Sequence, residues 1–337
     1  MVKVIGGTGL VGSHLLCELA KTENKICASY RTESKIPNVK KVFDFYFGSA
    51  AAENWEKVNW QYVNVNDIVS LEDFIGENDE VYHCAALVSF NRIDFNKLMK
   101  INREGTTNVV NVSLDLKIKK LCYVSSTAAV NGGDEKIVSE DSKWKKSDNT
   151  GPYSISKYGA EREVWRGIEE GLSAVIVNPC VILGAGDWND SSLIILKQME
   201  RGLSFYPPGG NAIVDARDVA TCMVKLMKSD ISKERFLLIG ENVSFKNLID
   251  KITKRFGKKP PNFAVGKMGL TMARFALGFF AFISRRKSPI TRDTVSSSLS
   301  TTVYINDKIR STLGHNFFTL DETIDNSVKG KTTHASR

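Results

Sequence analysis

The sequence has little of the apparatus that several classes of protein require. Its six cysteines, Cys17, Cys27, Cys84, Cys122, Cys180 and Cys222, are widely spaced, with no Cys-x-x-Cys pair. Most lie in apolar segments, which reads as buried thiols in a reducing compartment and not as a disulfide framework. The four histidines show no ligand spacing, so no metal site is expected. No apolar run reaches the roughly 20 residues that a bilayer-spanning helix needs. The least polar stretch, residues 268–283, has 16 residues and is interrupted by Arg274. Basic clusters are also scarce. The 46 Lys and Arg outnumber the 38 Asp and Glu for a net charge of +8, yet only short runs such as Lys258-Lys259 and Arg285-Arg286-Lys287 stand out. Nucleic-acid binding would need clustering, so none is expected. An anionic cofactor accounts for part of the excess. At the amino terminus a glycine- and threonine-rich turn interrupts the apolar residues. No secretory leader is expected there, and a cytoplasmic location is the default expectation.

What remains is the composition of an ordinary globular protein, 42% hydrophobic and 25% charged over 337 residues. That length favours a core domain with a smaller second lobe over two equal halves. Short apolar strands are expected at 2–5, 25–30, 60–65, 80–84, 121–125, 174–177 and 235–239. Helical patterns fill the intervals, notably 10–20, 91–115 and 153–170. Alternating strands and helices imply βαβ units, hence an α/β, Rossmann-like doubly wound parallel sheet with its ligand at the strands' carboxyl ends. Residues 1–180, completed by 211–240, are assigned to the dinucleotide-binding core. Residues 181–210 and 241–328 form a smaller, mainly helical substrate lobe, and 329–337 a disordered polar tail. No internal repeat is visible.

Three motifs carry chemistry. Gly6, Gly9 and Gly12 are spaced three apart between a strand and a helix, with Thr8, Leu10 and Val11 in the same turn. Such a turn lets the backbone approach a pyrophosphate, which the helix amino terminus then attracts. Arg31 stands just past the second strand, and no Asp or Glu occurs from Cys27 through Thr32. A guanidinium there suits the 2′-phosphate of NADP better than the ribose hydroxyls of NAD, and Lys35 can assist. Tyr153 and Lys157 sit one helical turn apart on one face. A lysine so placed stabilises a tyrosinate and brings the phenol's acid/base range closer to neutrality. Ser125-Ser126-Thr127 ends the fifth strand, where a hydroxyl can bond to a reacting oxygen or simply satisfy the turn backbone.

Together these elements resemble the extended branch of the short-chain dehydrogenase/reductase superfamily, the NAD-dependent epimerase/dehydratase group. Its carriers also include 82–86 (Tyr-His-Cys-Ala-Ala), Asn102-x-x-Gly105-Thr106, Asn178-Pro179, 214–220 (Val-Asp-Ala-Arg-Asp-Val-Ala) and 307–314. The nearest subgroup looks like the dihydroflavonol reductase and 3β-hydroxysteroid dehydrogenase-like members. The resemblance implies that Tyr153 is the general acid/base, that Lys157 binds the nicotinamide ribose, and that Thr127 orients the reacting oxygen, with Ser126 its rival by one register. It implies that Asn102 supports the site from a neighbouring helix. Ala85 and Ala86 would pass under the cofactor, Pro179 would flank the nicotinamide, and Asn64 with Val65 would meet the adenine where relatives usually carry an Asp. It further implies a homodimer through helices 91–115 and 153–170.

The function so read is hydride exchange between NADP(H), with NAD(H) as the alternative cofactor, and a carbonyl or secondary alcohol of a small apolar substrate. A nucleotide-sugar epimerase retaining NAD is the competing enzyme, with Arg217 and Arg292 as candidate sugar-diphosphate ligands. A non-catalytic dinucleotide-binding protein is the competing non-enzyme. Dehydration is disfavoured, because Ala128-Ala129 follow Thr127 where dehydratases of this resemblance carry an Asp-Glu pair. The 268–283 stretch is expected either to cover an apolar pocket or to touch a membrane surface, with Arg285-Arg286-Lys287 at the headgroups.

Overall fold

A computed structural model describes residues 1–132, 135–148, 150–272 and 292–332. Seven parallel strands form the central sheet: β1 (Val2–Ile5), β2 (Ile26–Tyr30), β3 (Val58–Tyr62), β4 (Glu80–His83), β5 (Lys120–Val124), β6 (Ala174–Pro179) and β7 (Glu234–Leu238). Their spatial order is β7-β6-β5-β4-β1-β2-β3. Strand order therefore reverses between β1 and β4, which opens a crevice at the carboxyl ends where such sheets bind ligands.

The strands are apolar on both faces because helices cover both. Cys122 and Val124 of β5 and Val175 and Val177 of β6 point into one core with α1 (Leu10–Ala20) and α2 (Ile36–Phe47). Leu121 and Tyr123, with Ala174 and Ile176, point into the other core, with α3 (Gly105–Asp115) and α4 (Pro152–Glu169). This is the alternation of a pleated strand applied to two buried surfaces.

Two expectations from the sequence shift. β3 starts at Val58 and ends at Tyr62, because the chain leaves the sheet edge where Asn64 turns, its side-chain Oδ1 accepting from the Asn66 N–H at 3.1 Å. The helix expected over 91–115 is broken into a 3₁₀ turn (Arg92–Asp94), a short α segment (Phe95–Leu98), a π-helical stretch (Met99–Glu104) and α3. The π stretch is the consequential piece, since an extra residue per turn re-aims one side chain, here Asn102.

A second, three-stranded sheet joins Val181–Leu183, Gly210–Asp215 and Glu241–Ser244. Its middle strand, expected to belong with the core domain, pairs Ile213 with Val181 and with Glu241, while its Ala212 and Val214 pack into the main core. Trp188, Leu196, Ile249 and Ile324 pack beneath it as a separate core. The next elements, α5 (Ala216–Lys228) and β7, pack on and pair with the main sheet. The last described residue, Thr332, donates its N–H to the Gly186 carbonyl at 3.0 Å. Residues 333–337 of the expected tail, most of the 268–283 stretch and Arg285-Arg286-Lys287 lie outside the described residues. No described helix is long and apolar enough to cross a membrane, and no group of metal-binding side chains occurs among the described residues.

Candidate active site

The glycine turn is shaped by contacts that leave no room for side chains. Gly6 takes φ +85°, and a Cβ there would lie 2.6 Å from the Ala85 nitrogen. Its N–H donates to the Ser29 hydroxyl at 2.9 Å, which pins the turn to the end of β2. A Cβ on Gly12 would come within 2.2 Å of the Gly6 carbonyl oxygen, so the first turn of α1 can approach only as glycine. Gly9 differs. It is exposed, and its nearest protein neighbour to a built Cβ is 3.6 Å away. The space over Gly9 is therefore free within the protein and suited to a ligand. No side chain caps α1 and no acid occupies its first turn, so the positive end of its dipole and its amide donors face the cleft.

That cleft encloses about 310 Å³. Gly6, Thr8, Gly9, Leu10 and Val11 line one wall, Val65, Ala85 and Ala86 another, Arg31 and Lys35 one end, and Tyr153 and Lys157 the other. Gly12 lies beneath the turn. Asn64 stands beside the lining residues Val63 and Val65, engaged in its own turn, and Pro179 is buried at the end of β6 against Leu238. The open amides, the side-chain-free approach at Gly9 and the terminal cations are what a dinucleotide diphosphate requires. Lys35 also forms an ion pair with Asp190, which reaches over from the second lobe.

At the far end, α4 starts with Pro152 at its first position, where a missing N–H costs nothing. Tyr153 follows at once and faces the cleft, its ring edge-on to Phe90 at 5.8 Å between centroids. Burial pushes its phenol up to about 12, and a hydrogen bond with the Ser126 hydroxyl pulls the other way. Lys157, one turn further on, directs its ammonium toward the sheet, donating to Tyr123 Oη and the Val124 carbonyl oxygen, both at 2.8 Å. Burial pulls the Lys157 ammonium down to about 7, opposed by Glu161 and Cys84.

The hydroxyls of the Ser/Thr cluster face different partners. Ser126 caps a 3₁₀ turn, accepting from the Ala128 N–H at 3.2 Å, and faces Tyr153. Thr127, expected to orient the reacting oxygen, is buried beside the phenol of Tyr304. Extended backbone at Ser126 (φ −164°) followed by the 3₁₀ turn sends successive side chains to opposite sides.

Asn102 has its roles filled by protein. Its Oδ1 accepts from the Leu87 N–H at 2.7 Å, and its Nδ2 donates to the Leu87 carbonyl and to Ser156 Oγ, both at 2.9 Å. It thus fastens the cleft loop after β4 to α4. His83 is a core residue, bonded through Nε2 to Thr106 Oγ1 at 3.1 Å, with burial pulling its imidazole down to about 3. The six cysteines are free thiols, four buried and two half-buried. Sequence reasoning passed over Ser29, Glu161 and Arg235, and named Ser125 only as part of the strand-end cluster. Ser125 lines the cleft, and its hydroxyl donates to buried Glu161 at 2.6 Å. The one available signal was spacing, since Tyr153, Lys157 and Glu161 recur every fourth residue along one helix face.

The chain is similar to several known proteins. The chain is similar to a Synechocystis protein provisionally named dihydroflavonol 4-reductase, 27% identical over 265 residues, covering 77% of this chain and 73% of that one. It is similar to Sterol demethylase protein B of Methylococcus capsulatus, 25% identical over 264 residues, covering 78% and 76%. Among solved structures, the yeast methylglyoxal/isovaleraldehyde reductase Gre2 complexed with NADPH superposes with a TM-score of 0.74 at 21% identity, covering 98% of this chain and 97% of that one. MoeE5 in complex with UDP-glucose and NAD gives 0.71 at 18%, with the same coverage. These structures share the fold. The model of the NAD dependent epimerase/dehydratase family matches residues 2–240, and the chain belongs to that family, as an NAD(P)-dependent enzyme of the extended short-chain dehydrogenase/reductase type.

Proposed function

We propose that the protein is an NADP(H)-dependent oxidoreductase that exchanges hydride with a carbonyl or secondary-alcohol carbon of a small, apolar substrate. The observation that carries this reading is one cleft with a phenol–hydroxyl pair, Tyr153 and Ser126, at one end and Arg31 with Lys35 at the other. The nicotinamide would supply the hydride. Tyr153 then delivers or receives the hydroxyl proton at its Oη, which is why a phenol held protonated at neutral pH suits the reducing direction. Ser126, rather than Thr127, holds the reacting oxygen. Lys157 holds the ribose, and Asn102 keeps the Leu87 loop against α4. Gly6, Gly9 and Gly12 admit the pyrophosphate. Val65, Ala85 and Ala86 form the apolar walls, and Asn64 and Pro179 support them from outside the cleft.

The epimerase reading loses one of its two arginines. Arg217 is committed to buried Asp215, with Nε to Oδ1 at 3.0 Å and Nη2 to Oδ2 at 2.6 Å, and lies over the Phe318 ring at 3.7 Å. An apolar acceptor is supported by Val88 and Ile182 on the cleft and by Phe90 against Tyr153. A homodimer through α3 and α4 and a membrane contact by residues 268–287 remain parts of the proposal that rest on the sequence. A turnover screen of aldehydes, ketones and nucleotide sugars with NADPH and NADH tests the whole. NADPH-dependent reduction of apolar carbonyls is expected. Retention of NAD through purification, with turnover of a nucleotide sugar alone, would overturn it.

A further inference from the structure

We infer that Glu161 is a positioning residue of the active site: its buried carboxylate fixes the strand-end groups around Tyr153 and supports the charged form of Lys157. The inference rests on the oxidoreductase reading, because it concerns the same site.

Glu161 is only 2% exposed, in the middle of α4. A carboxylate withdrawn from water is retained only with full hydrogen bonding, and an apolar residue of similar size usually serves stability as well. Its presence therefore calls for another use, and the identity of its partners supplies one. Oε2 accepts from Ser125 Oγ and from Asn178 Nδ2, both at 2.6 Å. Oε1 accepts from Arg235 Nη1 at 3.1 Å and Trp165 Nε1 at 3.3 Å. Ser125 lines the cleft. Asn178 also donates to the Ser126 carbonyl oxygen at 3.0 Å. The path Glu161–Asn178–Ser126 thus sets the backbone that presents the Ser126 hydroxyl to Tyr153. Arg235 extends the same assembly outward, donating through Nε to the Glu140 carbonyl at 2.8 Å and through Nη2 to that of Ser142 at 3.0 Å. One carboxylate therefore ties α4, the ends of β5 and β6, β7 and the 140–142 segment together.

The second action is electrostatic. Glu161 lies one turn beyond Lys157 on the same face. The other titratable groups around that ammonium are His83 from β4 and Cys84 just after it, Tyr123 from β5 and Tyr153 from α4. Burial pushes the Cys84 thiol up to about 12, the Tyr123 phenol well up and the His83 imidazole down to about 3, so all are neutral at physiological pH. Glu161 is left as the anion that favours the ammonium.

The test is NADPH binding without substrate, followed by fluorescence from pH 5 to 10, beside the pH profile of kcat/KM. Deprotonation of Lys157 weakens cofactor binding as pH rises, giving an alkaline limb. Glu161→Gln is expected to move that limb to lower pH by about one unit, the usual effect of losing a neighbouring opposite charge, and to lower kcat more than it raises the substrate KM. Glu161→Asp keeps the charge and is expected to keep the wild-type limb, so it answers the question even if Glu161→Gln fails to fold. An unmoved limb in Glu161→Gln would overturn the inference, as would an equal displacement in Glu161→Asp. A Tyr153→Phe control keeps the two readings apart. Full turnover there sinks the acid/base assignment and leaves the binding limb as the measure of Glu161.

Discussion

At the scale of single residues, the site pairs groups whose protonation is set by withdrawal from water. Tyr153, the proposed acid/base, is held up to about 12 by its burial. Replacing it with Phe is expected to lower kcat by roughly two to four orders of magnitude, with NADPH affinity changed only a few-fold, as stopped-flow turnover and fluorescence titration would show. The one-residue register makes a sharper comparison. Ser126→Ala should lower kcat by more than tenfold, whereas Thr127→Ala should act mainly on stability, costing about 1 kcal/mol through its lost bond to Tyr304. Equal kinetic losses would restore Thr127 to the site. Lys157 has a consequence for stability with a definite sign. Its folded pKa, about 7, lies below the unfolded value near 10.5, so between those values the unfolded chain binds the extra proton. Stability of the cofactor-free protein should therefore rise with pH across that window. Lys157→Met should flatten this rise, measurable as the melting temperature of the two proteins from pH 7 to 10. A steeper slope in the variant would contradict the assigned burial.

At the scale of elements, the glycine turn, α1, α4 and the parallel strands were legible because each has a local cause. Two-residue alternation onto covered faces marks β5 and β6, and Pro152 marks the start of α4. The π stretch was not legible. No propensity in 99–104 distinguishes it from an α-helix, and it exists because Asn102 is drawn to the Leu87 backbone and Ser156, contacts 15 and 54 residues away in sequence. The inward turn of Lys157 has the same kind of origin, since Tyr123 arrives from another strand. Spacing placed Tyr153 and Lys157 on one face without stating which way the lysine bends. The turn also offers a test that separates folding from binding. Gly12→Ala drives a Cβ to 2.2 Å from the Gly6 carbonyl oxygen and should lower the melting temperature along with cofactor affinity. Gly9→Ala meets nothing closer than 3.6 Å in the protein. It should melt like the parent and lose NADPH affinity at least tenfold. A Gly9→Ala protein that binds normally would mean the pyrophosphate does not cross there.

At the scale of the molecule, the cofactor cleft is a joint product of two cores. The main sheet supplies the glycine turn, Arg31 and Lys35, while Asp190, close to Trp188 and Leu193 of the second core, pairs with Lys35. Pairing Lys35 with Asp190 removes part of its charge from that end of the cleft, and so Arg31 is expected to be the main determinant of the proposed NADP preference. A 2′-phosphate offers oxygens that a guanidinium can grip bidentately. Hydrogen bonds between charged groups contribute about 1.5–3 kcal/mol each, so Arg31→Ala should weaken NADPH binding by about ten- to a hundredfold. NADH lacks that phosphate and should lose less than threefold, so the preference narrows from one side only. Asp190→Asn, which frees Lys35, should strengthen NADPH binding and again spare NADH. The affinity gained should shrink as salt is raised, because the contact is exposed to screening. Equal effects of Arg31→Ala on both cofactors would show that the guanidinium serves the adenine or the cleft wall, and the preference for NADP would then need another source.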